Sequence, residues 1–452
     1  MSAPNPSPPT GPRTSTALLT DHYELTMLQA TLASGHAHRR CVFETFARHL
    51  PDGRRYGVVA GTGRFLQALA DFRFGDPELE FLGDTGVVDR PTLDYLADYR
   101  FTGDIWGYAE GECYFPGSPV LVVESTFAEG VVLETLALSM LNHDSAVASA
   151  ASRMTAAAGD RPCIEMGSRR TEEHSAVAAA RAAYIAGFQA TSNLEAGRSH
   201  GVPTMGTAAH SFTLLHDDER SAFASQLKSL GLSTTLLVDT YDVTGAVELA
   251  VELAGPELGG VRLDSGDLVS QAHEVRAQLD QLGARDTRIV VTSDLDEHSI
   301  AALAAAPVDA YGVGTRVVTG SGAPAAGMVY KLVAREGDSG ELEAVAKASR
   351  DKTSIGGRKF ALRRRNAAGV AEREVLGIGE HPHDDGDDRS LLVPLVRGGE
   401  VVAATDAHTA REHHAMARAE LPSRALRMSH GDPAIRTVYQ DEGSRVEVEE
   451  DA

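Results

Sequence analysis

Between Cys163 and Thr315, seven short apolar runs each end in polar or glycine residues, and helical patterns fill most of the gaps between them. The runs are CIEMGS (Cys163–Ser168), FQATS (Phe188–Ser192), VPTMGT (Val202–Thr207), TTLLVDT (Thr234–Thr240), GVRLDSG (Gly260–Gly266), RIVVTSD (Arg288–Asp294) and AYGVGT (Ala310–Thr315). HSAVAAARAAYIAGF (His174–Phe188) and AVELAVEL (Ala246–Leu253) are typical of the helical stretches. Strands that alternate with helices pair in parallel, because the helix carries the chain back to the starting edge. An open doubly wound sheet gathers ligands at the two or three strand ends beside its switch point. Seven polar strand ends instead suggest a parallel α/β barrel with its site on the C-terminal rim.

The flanking sequence has a different texture. FETFARHLP (Phe43–Pro51) alternates like a strand, and GTGRFLQALADF (Gly61–Phe72) opens a helix. Beyond Ala334 the chain is more charged, and it passes through the loop EHPHDDGDD (Glu380–Asp388). The expected organisation is a flexible tail over 1–16, rich in proline, and an α/β (α+β) domain built from 17–110 plus about 334–440. A barrel over 111–333 and an acidic tail over 441–452 complete it. No apolar run approaches the ~18–20 residues that cross a bilayer, and the N-terminus has no signal-peptide core. Cys41, Cys113 and Cys163 are far apart and form no metal spacing, so each reads as a buried small hydrophobe. A soluble, cytoplasmic protein is expected.

The formal net charge of −22, from 64 acidic and 42 basic residues, repels nucleic acid and anionic lipid. It repels small phosphorylated substrates equally, so an enzyme using them must gather its few cations at one site. Arg169 and Arg170 follow the first run across a Gly-Ser turn. Arg262 and Asp264 are two residues apart on one strand and so share a face. An arginine there is either half of a structural ion pair or a fork for a planar carboxylate. Ser265 and Gly266 offer turn N–H groups, while Asp264 or Asp267 could hold ribose hydroxyls or Mg²⁺. Asp239 and Asp294 close two further strands, whereas Asp242 and Asp296 read as helix N-caps. Gly312, Gly314, Thr315 and Arg316, with Lys331 downstream, suit a phosphate. KASRDKTSIGGRKF (Lys347–Phe360) reads either as an exposed hairpin or as a phosphate-facing segment. His381 and His383 read as a solvated loop. His210, read in isolation, is a structural hydrogen-bonding histidine.

GTAAHSF (Gly206–Phe212), GVRLDSGDL, the MGSRR turn, VDTYD, GVGTR and the N-terminal LLTDHYELTM (Leu18–Met27) together resemble nicotinate phosphoribosyltransferase, in the same order. The resemblance spans roughly Leu18 to Phe360. It implies a distorted, TIM-like α/β barrel joined to an α/β domain, assembled as a homodimer with shared active sites. It implies that nicotinate and phosphoribosyl pyrophosphate give nicotinate mononucleotide and pyrophosphate, the first committed step of NAD salvage from nicotinate. ATP would phosphorylate His210, making this an ATP-hydrolysing glycosyltransferase of the ligase type that also uses Mg²⁺. By position, Tyr23, Thr207, Arg262 and Met166 would contact nicotinate, with Tyr23 reaching the partner subunit's site. Arg169, Asp239, Ser265, Gly266, Asp294, Gly312, Gly314 and Thr315 would hold phosphoribosyl pyrophosphate. His210, Asp264 and Arg262 would be catalytic, and Mg²⁺ would be held through substrate and Asp264 or Asp239. The family often carries Phe where this chain has Met166, and a thioether can also lie against a ring face.

Two rival assignments remain at this level. A nicotinamide- or quinolinate-using phosphoribosyltransferase would need a different set of charges around the ring. A barrel lyase or aldolase acting on sugar phosphates would commonly place a Schiff-base lysine at a strand end, and none of the seven ends contains lysine.

Overall fold

The computed structural model describes residues 14–347 and 355–440 and the backbone of 447–448. Residues 1–13 of the tail expected over 1–16, Arg350 and Lys352 of the basic run, and most of the acidic tail lie outside the described residues; Ser15 and Thr16, within that expected tail, are hydrogen-bonded to Arg73 and Ala68. Two compact units form, one from Met1–Ser149 with Ala323–Ala452 and the other from Ala150–Gly322. The stretch 111–149, placed with the barrel by the sequence reading, falls in the first unit, where Leu121–Thr126 pairs with Arg40–Ala47 and Asp104–Tyr108.

The first unit is built on antiparallel pairing. Its seven-stranded sheet runs, in spatial order, Leu342–Ala344, Met328–Glu336, Arg40–Ala47, Leu121–Thr126, Asp104–Tyr108, Leu392–Arg397 and Glu400–Val401. Arg40–Ala47 sits centrally and is buried on both faces, so its Glu44 needs an internal partner. Lys359 supplies it, with Nζ 2.9 Å from Glu44 Oε2 and both side chains 2% exposed. Arg358 pairs with Glu124 at 2.9 Å and lies over the Phe360 ring. The described cations at the end of the basic run are therefore structural, and the phosphate-facing reading fails for them. Burying a lysine in a sheet this acidic is tolerable only when its charge is paired.

The second unit holds the parallel sheet. Its strands are β1 (Cys163–Glu165), β2 (Ala190–Thr191), β3 (Thr235–Leu237), β4 (Gly260–Leu263), β5 (Arg288–Ser293) and β6 (Ala310–Val313). Their spatial order is β2-β1-β6-β5-β4-β3, and every pair is parallel. The last strand lies beside the first. Beyond β2, among the described residues, the only further parallel contact of this sheet is a single bridge, Thr191 to Thr204.

The closed barrel expected from the seven runs is not found: among the described residues nothing pairs Thr204 with β3. The third run, VPTMGT, is the cause. Pro203 has no N–H for a ladder, and Gly206 has no side chain to pack, so the run yields one bridge instead of a strand. The sheet face turned away from Arg262 and Thr292 is buried, with Val261, Leu263, Val291 and Tyr311 fully covered. Cys41, Cys113 and Cys163 are all free and buried. No described helix is long and apolar enough to cross a membrane.

Candidate active site

Ladder register decides which side chains meet. Val290 is paired with Arg262 and with Ala310, Thr292 with Gly312, and Gly312 with Ile164. Since alternate residues on a strand share a face, all of these lie on one face of the sheet. Ile164, Ala190 and Ala310, with Met166 and Val290 packed against them, give that face an apolar floor. Polar groups share its rungs, Arg262 level with Val290 and Thr292 level with Gly312 and Ile164, and Asp264, Asp294 and Gly314 follow toward the strand ends.

A cavity of about 200 Å³ opens above that floor. It is lined by Met166, Arg169, Arg262, Asp264, Asp294, Gly312, Gly314 and Thr315, all expected from the sequence. Arg170, Thr292 and Ser293 complete the lining. Arg169 and Arg170 are presented on the short turn Ser168–Arg170 and are exposed. Gly312 is glycine because a Cβ there would stand 2.5 Å from Thr292 Cγ2 and 2.8 Å from Met166 Sδ.

Arg262 organises the centre. Its Nε donates to Thr292 Oγ1 at 2.9 Å, and its Nη1 donates to Thr207 Oγ1 at 2.7 Å and to the Ala208 carbonyl at 3.0 Å. Its Nη2 donates to Asp264 Oδ1 at 3.2 Å. A guanidinium has five N–H groups, so one remains for a ligand. The two-pronged grip on a carboxylate expected of Arg262 is therefore not available in this arrangement. Thr207, whose hydroxyl Arg262 already holds, is the neighbour able to supply the second contact.

Asp264 also accepts a hydrogen bond from the Thr292 hydroxyl. Burial alone would raise its pKa, but the Thr292 hydrogen bond and the Arg262 charge outweigh burial and hold it below the usual carboxylate range. Asp239 accepts at Oδ2 from the Asp264 N–H and from Ser265 Oγ, both at 2.9 Å. Its Oδ1 is buried with no hydrogen-bond partner.

His210 is the first residue of the helix His210–Leu215. Its Nδ1 lies 3.2 Å from Thr240 Oγ1, and its Nε2 lies 3.9 Å from both Asp239 Oδ1 and Asp264 Oδ2. The imidazole is 41% exposed, so it is reachable by a ligand while its Nε2 edge faces carboxylates. Gly266 takes a φ of +87° in the turn after β4, as expected of a glycine there. Tyr23 belongs to the first unit, where it is half-exposed; burial and the nearby Glu134 and Glu24 carboxylates push its pKa up to about 12.

Two carboxylates are caps, as expected. Asp242 accepts from the Gly245 N–H, and Asp296 accepts from the His298 and Ser299 N–H groups. Asp267 caps in the same way, accepting from the Ser270 N–H. Asp242→Ala is expected to lower stability by about 1 kcal/mol and leave kcat/KM unchanged, readable by thermal unfolding beside a steady-state assay.

Sequence reading missed Thr240 and Thr292. Thr292 was findable, since it is two residues before Asp294 and shares its face. Nothing in the sequence signalled Ser293, whose φ of 151° is a conformation ordinarily left to glycine. Strained backbone of this kind clusters at functional sites. Among the described residues, close groupings of three metal-type donors occur only at Glu172, Glu173, His174 and at Asp384, Asp385, Asp388, mostly exposed.

Comparison with known proteins agrees with the geometry. Residues 18–142 match the family model for the nicotinate phosphoribosyltransferase N-terminal domain. Nicotinate phosphoribosyltransferase pncB1 of Mycobacterium tuberculosis H37Rv is 58% identical over 429 residues, 93% of this chain and 94% of its own length. The pncB2 protein of the same strain is 42% identical over 394 residues, 85% of this chain and 82% of its own. The crystal structure of human nicotinic acid phosphoribosyltransferase superposes with a TM-score of 0.80 at 26% identity, covering 94% of this chain and 98% of the human one.

Proposed function

This chain belongs to the nicotinate phosphoribosyltransferase family, and from that membership we propose how its own residues carry out the transfer. It is a transferase of NAD biosynthesis. The observation that carries the residue-level reading is the Arg262 guanidinium, held on three sides above an apolar floor with one N–H left over.

Nicotinate would lie on that floor against Met166, its carboxylate received by the remaining Arg262 N–H and the Thr207 hydroxyl. Holding the carboxylate aims the ring nitrogen at the anomeric carbon of phosphoribosyl pyrophosphate, and positioning of this kind is a large catalytic term. Arg169, with the turn N–H groups around Gly314 and Thr315, would take phosphate. Asp294 and the Ser265–Gly266 turn would take the ribose side. As the N–C bond forms, the C–O bond to pyrophosphate breaks, and the cationic rim offsets the charge that leaves.

The carboxylates suit a divalent cation, because Asp239 Oδ1 is buried without a partner and Asp264 is kept ionised. Asp239 or Asp264 would hold Mg²⁺, which supplies neutralisation of the leaving pyrophosphate when bound.

His210 would be the residue phosphorylated by ATP. Two carboxylates beside Nε2 favour the tautomer with its proton there, leaving the Nδ1 lone pair toward Thr240 as the nucleophile. Attack on the γ-phosphorus forms the N–P bond and releases ADP. The added phosphoryl charge, on the Thr240 edge of a ring whose other edge faces Asp239 and Asp264, is a local repulsion able to reshape the loops around it. Tyr23 would serve the partner subunit's site in a homodimer. Three buried thiols fit a reducing compartment, which supports the cytoplasm as the place of action.

Substrate preference tests this reading. The purified protein with phosphoribosyl pyrophosphate should turn over nicotinate far faster than nicotinamide, which lacks the carboxylate, or quinolinate, whose second carboxylate would have to compete with the phosphates for Arg169 and Arg170. Equal turnover of nicotinamide would sink the Arg262 reading.

A further inference from the structure

We propose that Thr292 is a positioning residue whose hydroxyl sets the orientation in which Arg262 and Thr207 meet the pyridine carboxylate. The proposal rests on the reading of Arg262 and Thr207 as the carboxylate's receivers.

Thr292 is the last residue but one of its strand and stands between two neighbours of opposite character. On one side is Gly312, its ladder partner on β6. A Cβ at Gly312 would stand 2.5 Å from Thr292 Cγ2, so the bare glycine makes room for the threonine methyl. On the other side, β4 carries Arg262 and then Asp264. A β-branched side chain has two heavy atoms on Cβ and few allowed χ1 states. With its methyl seated against Gly312, the hydroxyl is directed to β4.

There the hydroxyl does two jobs that need an oxygen with a proton. It accepts from Arg262 Nε at 2.9 Å and donates to Asp264 Oδ1. Thr292 is 4% exposed, so a water molecule has little access to replace it. The guanidinium is a rigid plane. Fixing Nε on Thr292 and Nη2 on Asp264 fixes where Nη1 points, and Nη1 is the atom that holds Thr207 at 2.7 Å. Without the hydroxyl, Nε is left unpaired on the dry floor, and the plane is free to turn toward a new acceptor. Thr292 itself touches no reacting atom.

Three variants separate this from a packing role. Thr292→Val keeps shape and the methyl contact but removes the hydroxyl; it is expected to raise the nicotinate KM about tenfold, the scale of one hydrogen bond to a charged group. The phosphoribosyl pyrophosphate KM should rise much less, because among the groups assigned to that substrate and its Mg²⁺ only Asp264 is hydrogen-bonded to Thr292. Thr292→Ser keeps the hydroxyl and loses the methyl, and should restore a nicotinate KM close to that of the parent. If Thr292→Val does not fold, Thr292→Ala against Thr292→Ser reads the same split. An unchanged nicotinate KM in Thr292→Val overturns the proposal, and so does equal damage in the serine and valine variants. Arg262→Gln is measured beside them. If it leaves the nicotinate KM unchanged, the carboxylate reading itself falls; if it raises that KM while Thr292→Val does not, only the role of Thr292 falls.

Discussion

His210→Ala is expected to abolish phosphohistidine and to cut ATP hydrolysis by on the order of 10³-fold or more, the scale on which loss of a nucleophile acts. A slow transfer to nicotinate should survive without ATP. The reason is spatial division: Arg262, Thr207 and the rim around Gly314 are untouched by the substitution, so substrate positioning persists. Only the phosphoryl acceptor is gone. Labelled γ-phosphate, acid-labile and base-stable on the parent protein, should not appear on the variant. A variant that still hydrolysed ATP in step with product would remove His210 from the role. Asn in place of His210 sharpens the reading, because its side chain can still meet Thr240 while offering no imidazole nitrogen to phosphorus.

Arg262→Gln is expected to lower kcat/KM for nicotinate by roughly 10²–10³-fold, equivalent to about 3–4 kcal/mol. Two losses combine. The carboxylate loses its charged donor, and Asp264, which is only partly exposed, loses the cation beside it. An unpaired, half-buried carboxylate next to an incoming carboxylate is worse than a neutral vacancy. Nicotinamide, which brings no charge, should lose far less, so the preference between the two substrates should narrow sharply. Steady-state competition between them measures that ratio directly. If both substrates fell by the same factor, Arg262 would be holding the site together rather than recognising the acid.

These two variants probe residues of unequal legibility. Arg262 and Asp264 could be placed on one face from their spacing alone, because the two-residue repeat of a strand does not depend on the rest of the chain. The caps at Asp242 and Asp296 were equally local, each an aspartate just before a helical run. The three cysteines were legible because they are isolated and apolar by habit. Identity of the family was legible from six motifs in order.

What could not be read locally is as instructive. The run VPTMGT looked like a seventh strand, yet Pro203 and Gly206 reduce it to the Thr204 bridge, and the ring stays open between that bridge and β3. Lys359 looked available for phosphate until Glu44, 315 residues earlier, turned out to hold it. Asp267, read as a candidate ligand, also caps the helix that follows it.

The strand-helix rhythm, the shared faces and the cluster of charged strand ends were therefore settled by the sequence itself, because each follows from repeats and spacings within a few residues. The occupancy of those charges was decided only by the tertiary structure. Whether a guanidinium has two free N–H groups or one depends on which partners the ladder brings beside it, and Thr207 and Thr292 reach Arg262 from segments 55 and 30 residues away. Pairing energies of that kind belong to the fold.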